Sequence, residues 1–328
     1  LSVHPLLGGG SIWSILVAQA EVTPDRPFIE AAGARLTYEE TKVGAAAAAD
    51  SLIALGVMAG DRVAYLSEYR VEMVEWIFGA ACIGAINVAL NIYLKGDFLR
   101  HQLADCGARV ALVDAAGLSS LAPIVDDLPA LEFVVLLDPG SSGLKTAGVS
   151  VFTRSDLPAL AASSADCGRP RAEASATAPV ALVYTSGTTG RPKACVFNTN
   201  YLVRTGLAHG LAWGARDGDI ICTATPLYHV AGYVGLMTAL MHGSSLVNLS
   251  PFSASNYLHR AAAVGATIAY GVGFQALALL RRPPSPHDRR HSLRVGWFGP
   301  FPADRADEFE ERFGVTLLSE MYAQSECI

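Results

Sequence analysis

The stretch Tyr184–Lys193 reads Tyr-Thr-Ser-Gly-Thr-Thr-Gly-Arg-Pro-Lys. It sets the hydroxyls of Thr185, Ser186, Thr188 and Thr189 beside Gly187 and Gly190, and ends on Lys193. Glycine lets the backbone bend with its amides converging, the hydroxyls add donors, and the lysine adds a positive charge. Such a set can hold an anion, and a polyphosphate suits the density of donors. The apolar run Ala178–Tyr184 reads as a strand, and Asn198 can cap a helix over Tyr201–Trp213, so the loop is expected between a strand and a helix. The bland alternative is a polar surface loop. The spacing is not that of a Walker loop, because Lys193 follows Pro192 rather than a glycine.

Other residues of chemical interest lie downstream. His229 stands in Pro-Leu-Tyr-His-Val-Ala-Gly (226–232), just after a strand-like run. A lone histidine there is most simply a satisfied structural residue. Tyr322-Ala-Gln-Ser-Glu326 follows the last strand-like run and offers a hard carboxylate, a donor type suited to Mg²⁺. Trp297-Phe298-Gly299 ends another strand, and Gly271-Val-Gly273 another. Strand neighbours point to opposite faces, so Trp297 and Phe298 are expected on opposite sides of their sheet. Arg281–Arg290 is rich in arginine and proline and reads as an exposed loop, a solvated basic segment in preference to a binding patch.

The 184–193 loop resembles the phosphate loop of the adenylate-forming superfamily, which includes acyl-CoA synthetases, adenylation domains of peptide synthetases and luciferases. The family pattern is Tyr-Thr-Ser-Gly-Thr-Thr-Gly-x-Pro-Lys-Gly, and the chain departs from it only at Ala194. The resemblance implies an ATP site built from Thr185, Ser186, Gly187, Thr188, Thr189, Gly190 and Lys193. Tyr322–Glu326 resembles the family's Tyr-Gly-x-Thr-Glu. By that match Tyr322 stacks on adenine, Ser325 bonds the α-phosphate, and Glu326 binds Mg²⁺ with help from the Thr185 hydroxyl. Ala323 replaces the family glycine, where the acid approaches. Residues 226–232 resemble Pro-Leu-Phe-His-x-x-Gly, which makes His229 a gate to the acyl pocket and not an acid or base. Lys193, Ser325, Glu326 and His229 form the implied catalytic set. Gly299 is matched to the turn bordering adenine. His229, Gly271, Gly273, Trp297, Phe298 and Ala323 are the implied pocket residues, and the two bulky aromatics imply a short pocket for a small carboxylic acid. Residues 90–103 are similar to the branch containing carnitine and crotonobetaine CoA ligases.

The implied reaction is attack of the acid on ATP to give an acyl adenylate, followed by transfer to CoA or a carrier pantetheine. Two alternatives stay open: adenylation of another small acid such as nitrite with a non-thiol acceptor, and a degenerate, non-catalytic scaffold protein. The family's lysine-bearing C-terminal domain is expected as a partner in cis lying beyond this chain, and a homodimer is left open.

These residues need elements to position them. Apolar runs of strand length alternate with helical patterns, which argues for an α/β fold of mostly parallel sheets packed with helices. Two subdomains are expected, 1–178 with an irregular connector over 139–178, and 179–328 carrying the ATP site. The 328 residues can bury large cores, and the net charge of −6 argues against general nucleic-acid binding. The most apolar windows, Trp76–Leu90 and Val230–Leu240, are interrupted or too short to span a bilayer. Six cysteines without a Cys-x-x-Cys pair fit a reduced, cytoplasmic protein.

Overall fold

The structure is a computed structural model that describes residues 10–138, 144, 146–164, 175–185, 190–318 and 324–325. The chain begins with α1 (Ile12–Val22), a hairpin of β1 (Pro27–Ala31) and β2 (Ala34–Thr37), and α2 (Tyr38–Ala54). There follow β3 (Arg62–Leu66), α3 (Val71–Cys82), β4 (Ile86–Ala89), α4 (Gly96–Cys106), β5 (Val110–Val113), α5 (Ala115–Leu121) and β6 (Phe133–Leu136). Next come β7 (Ser150–Thr153), α6 (Leu157–Ser163), β8 (Pro179–Thr185), β9 (Lys193–Asn198) and α7 (Thr199–Trp213). The last part holds β10 (Ile220–Thr223), α8 (Val230–His242), β11 (Ser245–Asn248), α9 (Tyr257–Ala263), β12 (Ile268–Val272), α10 (Gly273–Leu280), β13 (Val295–Gly299), α11 (Ala306–Phe313) and β14 (Thr316–Leu318).

Two seven-stranded sheets result, ordered β7-β6-β5-β3-β4-β8-β9 and β14-β13-β12-β10-β11-β1-β2. All neighbours are parallel except the hairpins β8–β9 and β1–β2. The α/β class expected from the alternation is therefore the observed one. Central strands are buried on both faces and read as unbroken apolar runs, as in Val-Ala-Leu-Val of β5, buried at every position.

The chain divides into two compact units, residues 1–21 with 39–201, and 22–38 with 202–328. This differs from the boundary expected at 178/179 in two places. β8 and β9 continue the first sheet, because β8 pairs with β4 through Asn87 and Val88. Residues 22–38 belong to the second unit, because β1 pairs with β11 and Tyr38, fully buried, sets its hydroxyl 2.8 Å from Ser244 O and 3.0 Å from Ala239 O. The 139–178 segment also carries more order than expected, since β7 extends the first sheet beside β6 and α6 follows it.

Each unit has its own core. In the first, Leu66, Val88, Leu99, Val113 and Val134 pack around the sheet. In the second, Tyr257, Leu279, Phe298, Phe309 and Phe313 do so. No described helix is long and apolar enough to cross a membrane.

Candidate active site

Thr185 ends β8 and Lys193 begins β9, and the two are paired in register. The expected order of strand, loop, helix is thus corrected to strand, loop, strand, with α7 starting only after β9. Asn198 does cap that helix, its Oδ1 accepting from Tyr201 N at 2.8 Å. The anion-holding capacity must then come from the hairpin itself and not from a helix N-terminus.

One helix fixes both arms of this hairpin. The Tyr184 hydroxyl lies 2.7 Å from Asp105 Oδ2 and 3.0 Å from Gln102 O, both on α4. Burial, reinforced by the Asp105 hydrogen bond, pushes the Tyr184 phenol above its usual pKa, so it remains a donor. His101, also on α4, donates through Nε2 to Pro192 O at 3.2 Å. Gln102 and Leu103 are buried, so the helix is anchored on its inner face while its outer side chains grip the loop. These positioning residues lie within 90–103 and its continuation, a stretch recognisable in sequence as family-like but not as a clamp.

The loop's cations point outward. Lys193 and Arg191 are exposed, and among the described residues neither forms an ion pair with a carboxylate. The Thr185 hydroxyl donates to Lys193 O at 3.4 Å, a weak bond that leaves its oxygen able to accept or to ligate. Ser186, Gly187, Thr188 and Thr189 lie outside the described residues. Gly190 is exposed, with open space where a side chain would stand.

His229 is the N-cap of α8, and its Nδ1 accepts from Ala231 N at 3.1 Å. That bond keeps Nδ1 unprotonated. The residue is exposed, yet atoms packed round the imidazole desolvate it and lower its pKa. A neutral cap at the start of a helix is compatible with a gating role and gives no acid–base one.

Trp297 and Phe298 face opposite sides of the second sheet, as strand alternation requires. Phe298 is 1% exposed and packs on Phe309 of α11. Trp297 is 8% exposed, with its ring 5.7 Å from His209, 6.0 Å from Tyr270 and 6.2 Å from Trp213. Both aromatics pack against other rings of their own unit.

The neighbouring glycines are also explained by packing. A Cβ on Gly273 would fall 1.6 Å from Pro300 O, and one on Gly271 would fall 2.0 Å from Gln275 Oε1. Gly299 has the Trp297 ring within 3.3 Å of the place its Cβ would occupy. Tyr322, Ala323 and Glu326 lie outside the described residues, and Ser325 is half-buried. Among the described residues no group of three His, Cys, Asp or Glu could hold a metal.

A family model described as AMP-binding enzyme matches residues 16–328. The chain belongs to the AMP-binding enzyme family. Long-chain fatty acid transport protein 2 of Rattus norvegicus is 29% identical over 321 residues, covering 96% of this chain and 50% of that protein. Medium/long-chain-fatty-acid–CoA ligase FadD6 of Mycobacterium tuberculosis is 29% identical over 319 residues, covering 96% and 51%. The chain thus spans about half the length of the curated relatives it matches. Among solved structures, the anthranilate CoA ligase AuaEII, bound to anthranoyl-AMP, superposes with a TM-score of 0.82 at 24% identity, covering 94% of this chain and 58% of that one. The N-terminal domain of FACL13 from Mycobacterium tuberculosis gives 0.77 at 24% identity, covering 97% and 76%. These two likenesses establish the fold.

Proposed function

We propose that the protein activates a carboxylic acid with ATP as an acyl adenylate and passes the acyl group to a thiol, CoA or a carrier pantetheine. The observation that carries this reading is the β8–β9 hairpin of an AMP-binding enzyme, held by α4, with Lys193 exposed and without a carboxylate partner among the described residues. An ammonium without a carboxylate partner keeps its full charge for a phosphate, and rigid donors act without reorganising when charge develops.

In this reading Thr185 and Lys193 bind phosphate oxygens, together with Ser186 to Gly190. Tyr322 stacks on adenine and Ser325 bonds the α-phosphate. Glu326 and the Thr185 hydroxyl would hold Mg²⁺, which would supply charge neutralisation on the phosphates. His229 caps α8 where the acid enters, and a C-terminal domain in cis would supply a further lysine.

For the acid, we favour a medium- or long-chain fatty acid over the small acid first expected. Relatives at 29% identity carry fatty-acid names, and the aromatics that argued for a short pocket are packed in cores. Acid-dependent exchange of pyrophosphate into ATP tests this with acetate, octanoate and palmitate. Exchange with octanoate or palmitate is expected, and exchange with acetate alone would restore the small acid.

A further inference from the structure

A second site lies in the unit of residues 22–38 and 202–328, along the outer face of α9. The chain from Arg281 to Arg290 is expected from sequence to be a solvated basic loop, but it is tightly held. Asp288, 5% exposed, accepts from Ser285 N at 3.1 Å and from Arg312 Nε at 2.8 Å. The same guanidinium donates to Leu280 O at 2.9 Å, Arg282 O at 2.8 Å and Pro283 O at 3.0 Å. One largely buried arginine therefore fixes the loop at three points and ties it to the end of α10, a degree of order that solvation alone does not call for.

Between this loop and α9 runs an open groove of ≈ 530 Å³. Small-molecule sites span roughly 300–1,000 Å³. Leu258 and Ala262 give it an apolar strip, and Arg282, Arg290, His259 and His287 give it cationic and donor groups. Its one carboxylate, Asp288, is already neutralised by Arg312. Arg282 is oriented by a bond from Nη1 to Ala254 O at 2.9 Å, and among the described residues neither Arg282 nor Arg290 meets a carboxylate. In a chain of net charge −6, two uncompensated guanidiniums in one concavity form a local positive field.

We infer that this groove binds a phosphate-bearing small molecule, its phosphoryl oxygens on Arg282 and Arg290 and its apolar part along Leu258 and Ala262. Guanidinium suits this role because its planar fork matches phosphate oxygens in pairs. The phosphoryl group could be that of a soluble phosphomonoester or of a lipid headgroup. The inference does not depend on adenylation, since none of the groove residues belongs to the proposed ATP site.

The test uses the imidazole Cε1–H signals of His259 and His287 as local reporters, at constant ionic strength. Phenyl phosphate is titrated into the protein and into Arg290→Gln; among the described residues the Arg290 side chain makes no hydrogen bond or ion pair. Arg282→Gln is the second variant. In a parallel arm, co-sedimentation is measured with phosphatidylcholine vesicles with and without phosphatidic acid. If the ligand is soluble, both histidine signals shift saturably and each variant weakens binding about tenfold. If it is a headgroup, sedimentation with phosphatidic acid is retained by wild type and lost in both variants. Histidine signals that do not move, together with sedimentation insensitive to both substitutions, would overturn the inference. So would phenyl phosphate binding of equal strength in all three proteins.

Discussion

At the scale of the residue, Glu75 is the group whose protonation the fold changes most visibly. It is buried on α3, and desolvation raises its carboxyl to about 7, although Arg154 Nη2 bonds it at 3.0 Å. Gly44 makes room for it, since a Cβ there would fall 2.0 Å from Glu75 Oε1. With the folded pKa above the unfolded value of 4.5, the folded state binds the extra proton between the two. This contribution to stability is present in full below 4.5 and is lost as pH rises through about 7. Glu75→Gln should remove that dependence, and the stability difference between variant and wild type should grow by up to about 3 kcal/mol across the window. Denaturant titrations at pH 5 and pH 8 measure it, and parallel pH profiles for the two proteins would reject it. Lys193 belongs to this scale as well. Lys193→Met removes the unpaired charge while keeping the stem, and should lower acid-dependent pyrophosphate exchange by about a hundredfold or more without moving the melting temperature.

At the scale of the element, α4 holds both arms of the proposed phosphate-binding hairpin. His101→Ala and Tyr184→Phe each delete one grip on the hairpin and leave every phosphate donor in place. Both should raise the KM for ATP several-fold with a smaller effect on kcat, which steady-state kinetics resolves; a pure loss of stability with unchanged KM would assign α4 to packing alone. The turn after β13 makes a second prediction. Gly273→Ala forces a Cβ against Pro300 O and should cost about 2 kcal/mol or more, read as a fall in the denaturation midpoint. The strongly apolar strands and the helices between them were legible in sequence. β9 was not, because Lys-Ala-Cys-Val-Phe-Asn is an edge strand with only Phe197 buried, and so lacks a two-residue alternation. β7 and α6 were hidden for the same reason, being short and mostly exposed. The composition of the 184–193 loop was plain, but its clamp was not, since Tyr184 and Asp105 stand 79 positions apart and meet only through the β4–β8 pairing of the first sheet.

At the scale of the whole molecule, the two sheets interleave the chain in a way no local pattern announces. β1 and β2 precede the whole of the first sheet, yet they join β11, more than 200 residues later. The pairing is secured by Tyr38 under α8 and by Arg26, which bonds Asp217 and Gly243 O. Truncation before residue 39 should therefore unfold the second unit preferentially, which hydrogen exchange on β10–β12 would show. Uniform protection loss in both sheets would contradict the assignment. At the same scale, Trp297 and Phe298 pack on opposite faces of the second sheet, each against other rings of its own unit.

The central claim is that the β8–β9 hairpin receives the phosphates of ATP. Calorimetric titration of MgATP into the wild-type protein and into Lys193→Met tests it most directly. The account predicts saturable one-site binding by wild type and an affinity lower by about tenfold or more in the variant. Equal affinity in the two proteins, or no binding by a folded wild type, would contradict it.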